Sequence, residues 1–128
     1  MSQLARSSIG YPSEKPRFPH MDDISFQRHS DEALSSLNRK LATAGDDYGF
    51  EADLNDGALK IEFEDPPAKF VVSPNRPVHQ IWVSALTKSF KLDWNESRQA
   101  FALGATGQTL NELIAEVIST QLGEKVEF

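Results

Sequence analysis

The sequence predicts an α+β fold, a two-layer sandwich in which two helices pack on one face of an antiparallel sheet of five to six strands. Apolar residues recur at helical spacing in two stretches, one early and one near the end of the chain, and they alternate with polar residues in six shorter stretches between them. Helices that flank a run of strands suit such a sandwich, because each can bury its apolar stripe against the same face of the sheet. The predicted order is α-β-β-β-β-β-β-α.

The folded domain is predicted to cover residues 21–128. Residues 1–20 contain three of the seven prolines, carry a net charge of +2 and show no repeated apolar pattern, so we expect a disordered leader there. A first helix is predicted over 23–45, because Asp22 and Asp23 stand where a helix cap and the helix dipole favour acids. Its apolar stripe comprises Phe26, Ala33, Leu37, Leu41 and Ala44.

Six strands and a second helix follow. A hairpin is expected at 50–54 and 59–63, because Asn55, Asp56 and Gly57 supply a tight turn between them. Further strands are predicted at 69–73, 78–85, 89–94 and 98–103, separated by proline-containing stretches at 66–67 and 74–77 and by short links at 86–88 and 95–96. Thr109 and Glu112 form a capping box before a helix with the apolar stripe Leu110, Leu113, Ile114, Val117 and Ile118.

Composition narrows the function. The chain has no cysteine, which excludes disulfides, thiolate metal sites and cysteine nucleophiles. Its formal net charge of -6 has the wrong sign for a nucleic-acid binder. Nine acids and three bases lie within 21–56, and such a local field attracts cations and basic protein surfaces, although an acidic surface that serves only solubility is the alternative. No apolar run is long enough to span a membrane, and the first residues do not form a secretory signal.

Enzyme signatures are not found in the sequence. It contains no glycine-rich phosphate loop, no nucleophile elbow, and no histidine or cysteine metal motif. The three histidines, His20, His29 and His79, have no evident orienting partner in the sequence, so we interpret them as surface or boundary residues. A binding module, not an enzyme, is the prediction.

One strand breaks the expected pattern of a sheet with a polar outer face. In 78–85, alternation places Ile81, Val83 and Ala85 on the apolar face and leaves Trp82 among polar neighbours on the other. Exposed aromatic side chains on rigid elements often anchor protein interfaces. Trp82 is therefore a candidate contact residue, and an indole tucked under a loop or a neighbouring strand is the alternative.

Carboxylates are the remaining chemical resource. Asp46 and Asp47 are predicted just past the first helix, and Glu51 and Asp53 are predicted to point outward from the first strand. Four acids at one edge could bind hard cations such as iron, manganese, magnesium or calcium, but an open set of such ligands binds weakly and with little selectivity. Solvated charge without a metal role is the alternative.

The most specific stretch of the sequence is 75–84, Asn-Arg-Pro-Val-His-Gln-Ile-Trp-Val-Ser. Its Pro-x-x-Gln-Ile-Trp run is similar to a strand of the frataxin family, and over 21–128 the sequence resembles that family, most closely its bacterial type. Two further stretches resemble the family's first hairpin (55–59, Asn-Asp-Gly-Ala-Leu) and the start of its last helix (107–113, Gly-Gln-Thr-Leu-Asn-Glu-Leu). The ending at 123–128, Gly-Glu-Lys-Val-Glu-Phe, looks like that of the bacterial branch.

The resemblance implies a regulator of iron-sulfur cluster assembly that binds iron weakly, docks on cysteine desulfurase and contacts the cluster scaffold protein. It also implies a monomer in the cytoplasm, with the mitochondrial matrix as the alternative location. The family's sheet-face contact residues carry over to Gln80 and Trp82, and more loosely to Asn75. The candidate iron-binding acids are Asp22, Asp23, Asp31, Glu32, Asp46, Asp47, Glu51 and Asp53.

Two departures from the family are visible. Ser73 and Pro74 replace the polar residues that usually precede the family's proline, which puts scaffold contacts through them in doubt. The end of the first helix, usually dense with acids, reads Asn-Arg-Lys-Leu-Ala-Thr at 38–43, so iron binding should be weaker than is usual in the family, or displaced toward the helix end and the first strand. Two other functions remain open, namely ferrous oxidation in an iron-storing oligomer and an acidic adaptor of an unrelated pathway.

Overall fold

A computed structural model describes residues 21–128 and confirms the predicted two-layer fold. The leader predicted at 1–20 lies outside the described residues. Two helices and six strands are present in the predicted order, with one short 3-10 turn, η1, between the third and fourth strands. The elements are α1 (Asp23–Tyr48), β1 (Phe50–Asn55), β2 (Ala58–Glu64), β3 (Pro67–Asn75), η1 (Arg76–Val78), β4 (Gln80–Ala85), β5 (Lys88–Asn95), β6 (Ala100–Leu103) and α2 (Leu110–Leu122).

Helix α1 is one turn longer than predicted. It begins after Asp22, whose carboxylate accepts a hydrogen bond from the Ser25 N–H at 2.8 Å. It passes through Gly45 and ends at Gly49, which adopts the left-handed conformation with φ 83°. A glycine inside a helix costs only about 1 kcal/mol, whereas a left-handed glycine satisfies the last carbonyls and stops the helix. Asp46 and Asp47 therefore lie in the last turn of α1, and the prediction that they follow the helix is wrong.

The six strands form one antiparallel sheet in sequence order, so each strand pairs with its neighbours along the chain. The predicted strand at 78–85 begins only at Gln80, because Pro77 stands at the start of the η1 turn and His79 leaves that turn with φ 52°. Pro67 and Pro74, predicted as separators, belong to β3. Pro67 is its first residue, and pairing with β2 stops at Val72, so Pro74 pairs on one side only, where proline is tolerated.

The last two strands also differ in detail from the prediction. The turn between β4 and β5 consists of Leu86 and Thr87 alone, both with positive φ, and Lys88 already belongs to β5. The strand predicted at 98–103 begins at Ala100, since Arg98 and Gln99 form part of the preceding turn.

A single core lies between the helices and the inner face of the sheet. Fully buried side chains come from α1, such as Leu37 and Leu41, from the strands, such as Ile81, and from α2, such as Ile114. Thr109 caps α2 through the predicted capping box, because its hydroxyl accepts from the Glu112 N–H and its own N–H donates to the Glu112 carboxylate. The other face of the sheet, called the outer face below, points away from the helices.

Neither helix within residues 21–128 is long and apolar enough to cross a bilayer.

Candidate functional site

The outer face presents Trp82 near its centre. Ile81 and Val83 are at most 1% exposed on the inner face, whereas Trp82 is 39% exposed on the outer face. The predicted strand phase is therefore confirmed, and the alternative of a tucked indole is not what the structure shows. Trp82 lies opposite Ser73 of β3, and Gln80 lies opposite Asn75. The three predicted partner-binding residues thus share one region of the outer face.

Two contacts with neighbouring side chains hold the indole of Trp82. Its N–H donates to Oε1 of Gln80 at 2.9 Å, and the ammonium of Lys91 stands 4.9 Å from the ring centroid, within cation-π range. Gln80 in turn donates from Nε2 to Oδ1 of Asp93 at 3.1 Å. Both Lys91 and Asp93 belong to β5, directly opposite Trp82 and Gln80. The site is therefore a four-residue network across two strands.

Lys91 and Asp93 were missed by the sequence analysis. The alternation in β5 places both on the outer face, but their partners on β4 depend on the register of the hairpin. A two-residue turn at Leu86 and Thr87 sets that register. Neither residue is a glycine, asparagine or aspartate, the types that usually indicate such a turn, so the sequence predicted the register of this hairpin only weakly.

A shallow hollow of about 190 Å³ lies beside Trp82 on the outer face. Its lining includes the small side chains of Ser73, Ser84 and Ser89, together with Val71 and Lys91. An exposed aromatic ring beside such a hollow suits an interface anchor that receives one side chain of a partner.

The eight candidate iron-binding acids fall into two groups. Four lie at or near the N-terminal end of α1, and four lie at its C-terminal end and on β1. Because α1 has 26 residues, about 39 Å separates its two ends. The groups therefore form two surfaces and not one site. The N-terminal group is Asp22, Asp23, Asp31 and Glu32, and the acidic edge, as we call the second group, is Asp46, Asp47, Glu51 and Asp53.

Most acids of the N-terminal group have partners within the domain. The hydrogen bond from the Ser25 N–H holds the pKa of the Asp22 carboxyl below its ordinary value. Asp23 lies 2.7 Å from Nε2 of His79, whose ring stacks on Phe26 and so connects η1 to the start of α1. Asp31 accepts from Nε2 of Gln27 at 2.9 Å. His79, for which the sequence indicated no partner, thus contacts both Asp23 and Phe26. These acids serve the local structure.

The acidic edge differs, because among residues 21–128 none of its four acids has an ion-pair or side-chain hydrogen-bond partner. Asp46, Glu51 and Asp53 line a hollow of about 520 Å³ at the β1 edge of the sheet, together with Lys60 and Glu62 of β2. Asp47 is exposed nearby but does not line it. The alternation within β2 was the signal that could have added Glu62 to the predicted set.

The placement of these acids opposes folding stability. Asp46 and Asp47 stand at the negative end of the α1 dipole, in a last turn that has no basic residue. Glu51 lies directly opposite Glu62 across the strand pair, a like-charge contact that is destabilising, and only Asp53 faces a cation, Lys60. Local folding therefore does not account for this surface.

Within the part of the chain that the structure describes, no three histidine, aspartate or glutamate side chains are arranged to hold one ion. Exposed carboxylates of this kind offer hard oxygen ligands without a shaped coordination sphere. They fit weak, exchangeable cation binding, and iron binding by these residues stays a prediction.

Comparison with known proteins relates this chain and its fold to one family. The profile of the frataxin-like domain matches residues 19–124. The iron-sulfur cluster assembly protein CyaY of Azotobacter vinelandii is 29% identical over 99 residues, 76% of this chain and 89% of that protein. The protein of the same name from Thioalkalivibrio sulfidiphilus is 27% identical over 106 residues, 83% of this chain and 98% of that protein.

The fold also matches a solved structure. The frataxin from Psychromonas ingrahamii superposes with a TM-score of 0.66 at 24% identity, covering 84% of this chain and 97% of that one. The resemblance noted in the 75–84 stretch therefore extends over the domain, because the family profile, the two relatives and the solved structure all match the chain. The chain belongs to the frataxin family, of the bacterial CyaY type.

Proposed function

We propose that this protein serves iron-sulfur cluster assembly as a non-catalytic adaptor that docks on a cysteine desulfurase and the cluster scaffold and binds iron weakly. The names of its two CyaY relatives support the pathway. The observation that carries the proposal is the outer face, where a polar sheet surface presents one ordered tryptophan beside an open hollow. Because this side chain lies on the outer face and is 39% exposed, it makes few contacts with the core, and an exposed aromatic ring on a rigid strand can anchor a partner.

In this proposal two surfaces contact the partner in different ways. The acidic edge meets a basic surface of the desulfurase, and the region around Asn75, Gln80 and Trp82 contacts the same assembly. Exposed ion pairs are individually worth only about 0 to 1 kcal/mol, so the acidic edge steers the approach of the partner more than it holds it. Trp82 buries apolar area on docking and therefore provides most of the lasting affinity.

Iron is a weakly held ligand in this proposal. Asp46, Glu51 and Asp53 share one hollow and present carboxylate oxygens, which suit ferrous and ferric ions. The same acids serve both iron and the basic partner, so the two compete for one surface. Iron would then weaken docking by neutralising the acidic edge.

Turnover of the purified desulfurase, measured with the full chain and with or without ferrous iron, tests the proposal. Replacing Asp46, Asp47, Glu51 and Asp53 by their amides should weaken binding chiefly at low salt and slow association more than it speeds dissociation. Salt removes the difference, because the screening length is only about 8 Å at physiological ionic strength. The same variant should melt at a higher temperature, because it relieves the repulsion at the end of α1 and between Glu51 and Glu62.

A matched control makes the same charge change on the other side of the domain. It replaces four acids on or near α2 and the β5–β6 turn, and it should leave association unaltered. The four are Glu96, Glu116, Glu124 and Glu127. Equal loss of association in both variants would show that net charge alone matters.

Tight binding of one iron in low and high salt alike would reveal a shaped site and overturn the adaptor proposal. Oxygen uptake in proportion to iron would favour ferrous oxidation. A pull-down without any desulfurase would favour another pathway.

A further inference from the structure

The hydrogen bonds around Trp82 run in one direction only. The indole N–H can only donate, and the Asp93 carboxylate can only accept. Gln80 stands between them, with Oε1 2.9 Å from the indole nitrogen and Nε2 3.1 Å from the carboxylate. An amide turned by 180° would place two donors against each other at Trp82 and two acceptors against each other at Asp93. One orientation of Gln80 therefore satisfies all three groups.

Asp93 supports this orientation without contacting Trp82. Gln80 and Asp93 are directly opposite in the β4–β5 pair, whereas Trp82 is two residues further along β4 on the same face. If the carboxylate were absent, the indole N–H alone would favour the same orientation of the amide, but the Gln80 side chain would lose its second anchor and would hold the indole less firmly. The side chain of Asp93 therefore acts on Trp82 through Gln80.

The consequence concerns what Trp82 offers to a partner. Its only polar group is satisfied inside the chain, toward Gln80, which does not line the hollow. The indole therefore presents only its hydrocarbon part to the hollow, which Val71, three serines and Lys91 also line, and the ammonium of Lys91 lies 4.9 Å from the ring centroid. A partner side chain that enters the hollow meets the hydrocarbon of the indole and finds no indole donor.

We propose that Asp93 is a positioning residue for Trp82. It fixes the Gln80 amide so that the indole N–H is satisfied within the chain and the hydrocarbon edge of the ring is held ready for an apolar side chain of the partner. The inference rests on the proposed docking function of the outer face. Loss of the hydrogen bond that holds Gln80 should weaken docking about 2- to 10-fold, which is at most about 1.4 kcal/mol.

The indole N–H signals in a ¹H–¹⁵N spectrum of the full chain test the positioning step without any partner. Trp82 and Trp94 give two signals, assigned with Trp82→Phe. Asp93→Ala should move the Trp82 signal toward that of a free indole and speed its exchange with water, and should leave the Trp94 signal and the melting temperature unchanged. Asp93→Asn should restore the wild-type signal, because its side-chain carbonyl can still accept from Nε2 of Gln80 while the indole N–H keeps Oε1 on its own side.

Trp94 supplies a matched control. Its indole N–H donates to Oε1 of Glu96 at 2.9 Å, so Glu96→Ala should move the Trp94 signal and leave that of Trp82 in place. The same variants are then titrated with the purified desulfurase assembly. Asp93→Ala should bind about 2- to 10-fold more weakly, Asp93→Asn should bind like wild type, and Glu96→Ala should bind normally.

The possible outcomes separate this inference from the proposed function. An unchanged Trp82 signal in Asp93→Ala would overturn the positioning role, even if affinity fell. An Asn variant that restores the signal but not the affinity would show that the charge of Asp93 meets the partner directly, which also overturns it. If the wild type does not bind the desulfurase assembly while the indole signals respond as expected, the proposed function fails and the positioning of Trp82 stands.

Discussion

Gly45 is the position where local helix preference and tertiary packing oppose each other most directly. It lies buried in the interior of α1, where alanine is ordinarily better than glycine by about 1 kcal/mol. A Cβ added there would overlap the backbone carbonyl oxygen of Phe50 and lie 3.3 Å from its carbonyl carbon. Propensity alone therefore predicts that Gly45→Ala stabilises the protein, whereas packing predicts the reverse.

The magnitude follows from what has to move. Overpacking a core by one carbon typically costs about 1 to 3 kcal/mol, and the upper end applies where the obstructing atom is backbone. Phe50 opens β1 and is buried, so its carbonyl cannot shift without moving the start of the sheet. Subtracting the gain of about 1 kcal/mol in helix propensity leaves a net loss of about 2 kcal/mol. For a domain of this size, that loss lowers the melting temperature by about 8 °C.

Thermal and urea unfolding followed by circular dichroism measure this change. Gly104→Ala is the matched control, because an added Cβ there meets nothing within 4 Å, and its stability should stay within about 0.5 kcal/mol of wild type. A Gly45→Ala variant as stable as wild type, or more so, would refute the close approach of α1 to β1. The approach also places Asp46 beside Glu51, so the variant should weaken low-salt desulfurase association.

Three further predictions concern other parts of the chain. Trp82→Ala should cost little folding stability, since the residue is on the outer face, but should weaken docking on the desulfurase by about 2 kcal/mol, roughly 30-fold; a variant that unfolds readily would place Trp82 in the core. Hydrogen bonds from the Ser25 and Thr109 N–H groups hold the pKa values of Asp22 and Glu112 below their ordinary values. The stability that these two carboxylates contribute is therefore present above the unfolded pKa and is lost as pH falls through the folded pKa. The melting temperature of Asp22→Ala should accordingly approach that of wild type in acid, whereas Asp22→Asn should retain the helix cap. Deletion of residues 1–20 should leave melting temperature and partner affinity unchanged, and a clear loss of either would show that they contribute.

The fold was predictable because the local sequence pattern of each element indicates its type. Alternation in β4 predicted which side of the sheet Trp82 occupies, and the Asn55-Asp56-Gly57 turn predicted the first hairpin. The end of α1 was not predictable in this way. Both Gly45 and Gly49 follow a helical pattern, and the choice between them depends on the contact of Gly45 with Phe50, which only the tertiary structure shows.

The candidate site was predictable only as far as single strands could reveal it. Gln80 and Trp82 follow from the pattern of one strand and the family resemblance. Lys91, Asp93 and Glu62 become neighbours of the predicted residues only through cross-strand register, which in the β4–β5 hairpin depends on an unusual turn at Leu86 and Thr87.

The acids at the two ends of α1 differ in whether the local structure satisfies their charges. At the N-terminal end, Asp22 caps the helix and Asp23 binds His79, so their charges follow the helix dipole and are locally satisfied. At the C-terminal end, Asp46 and Asp47 oppose the dipole and have no partner among the described residues. Neutral or basic residues at these two positions would stabilise the helix more, so the acids reduce its stability without a local contact that offsets the loss. A surface of this kind supports the proposal that the acidic edge meets a cation or a basic partner.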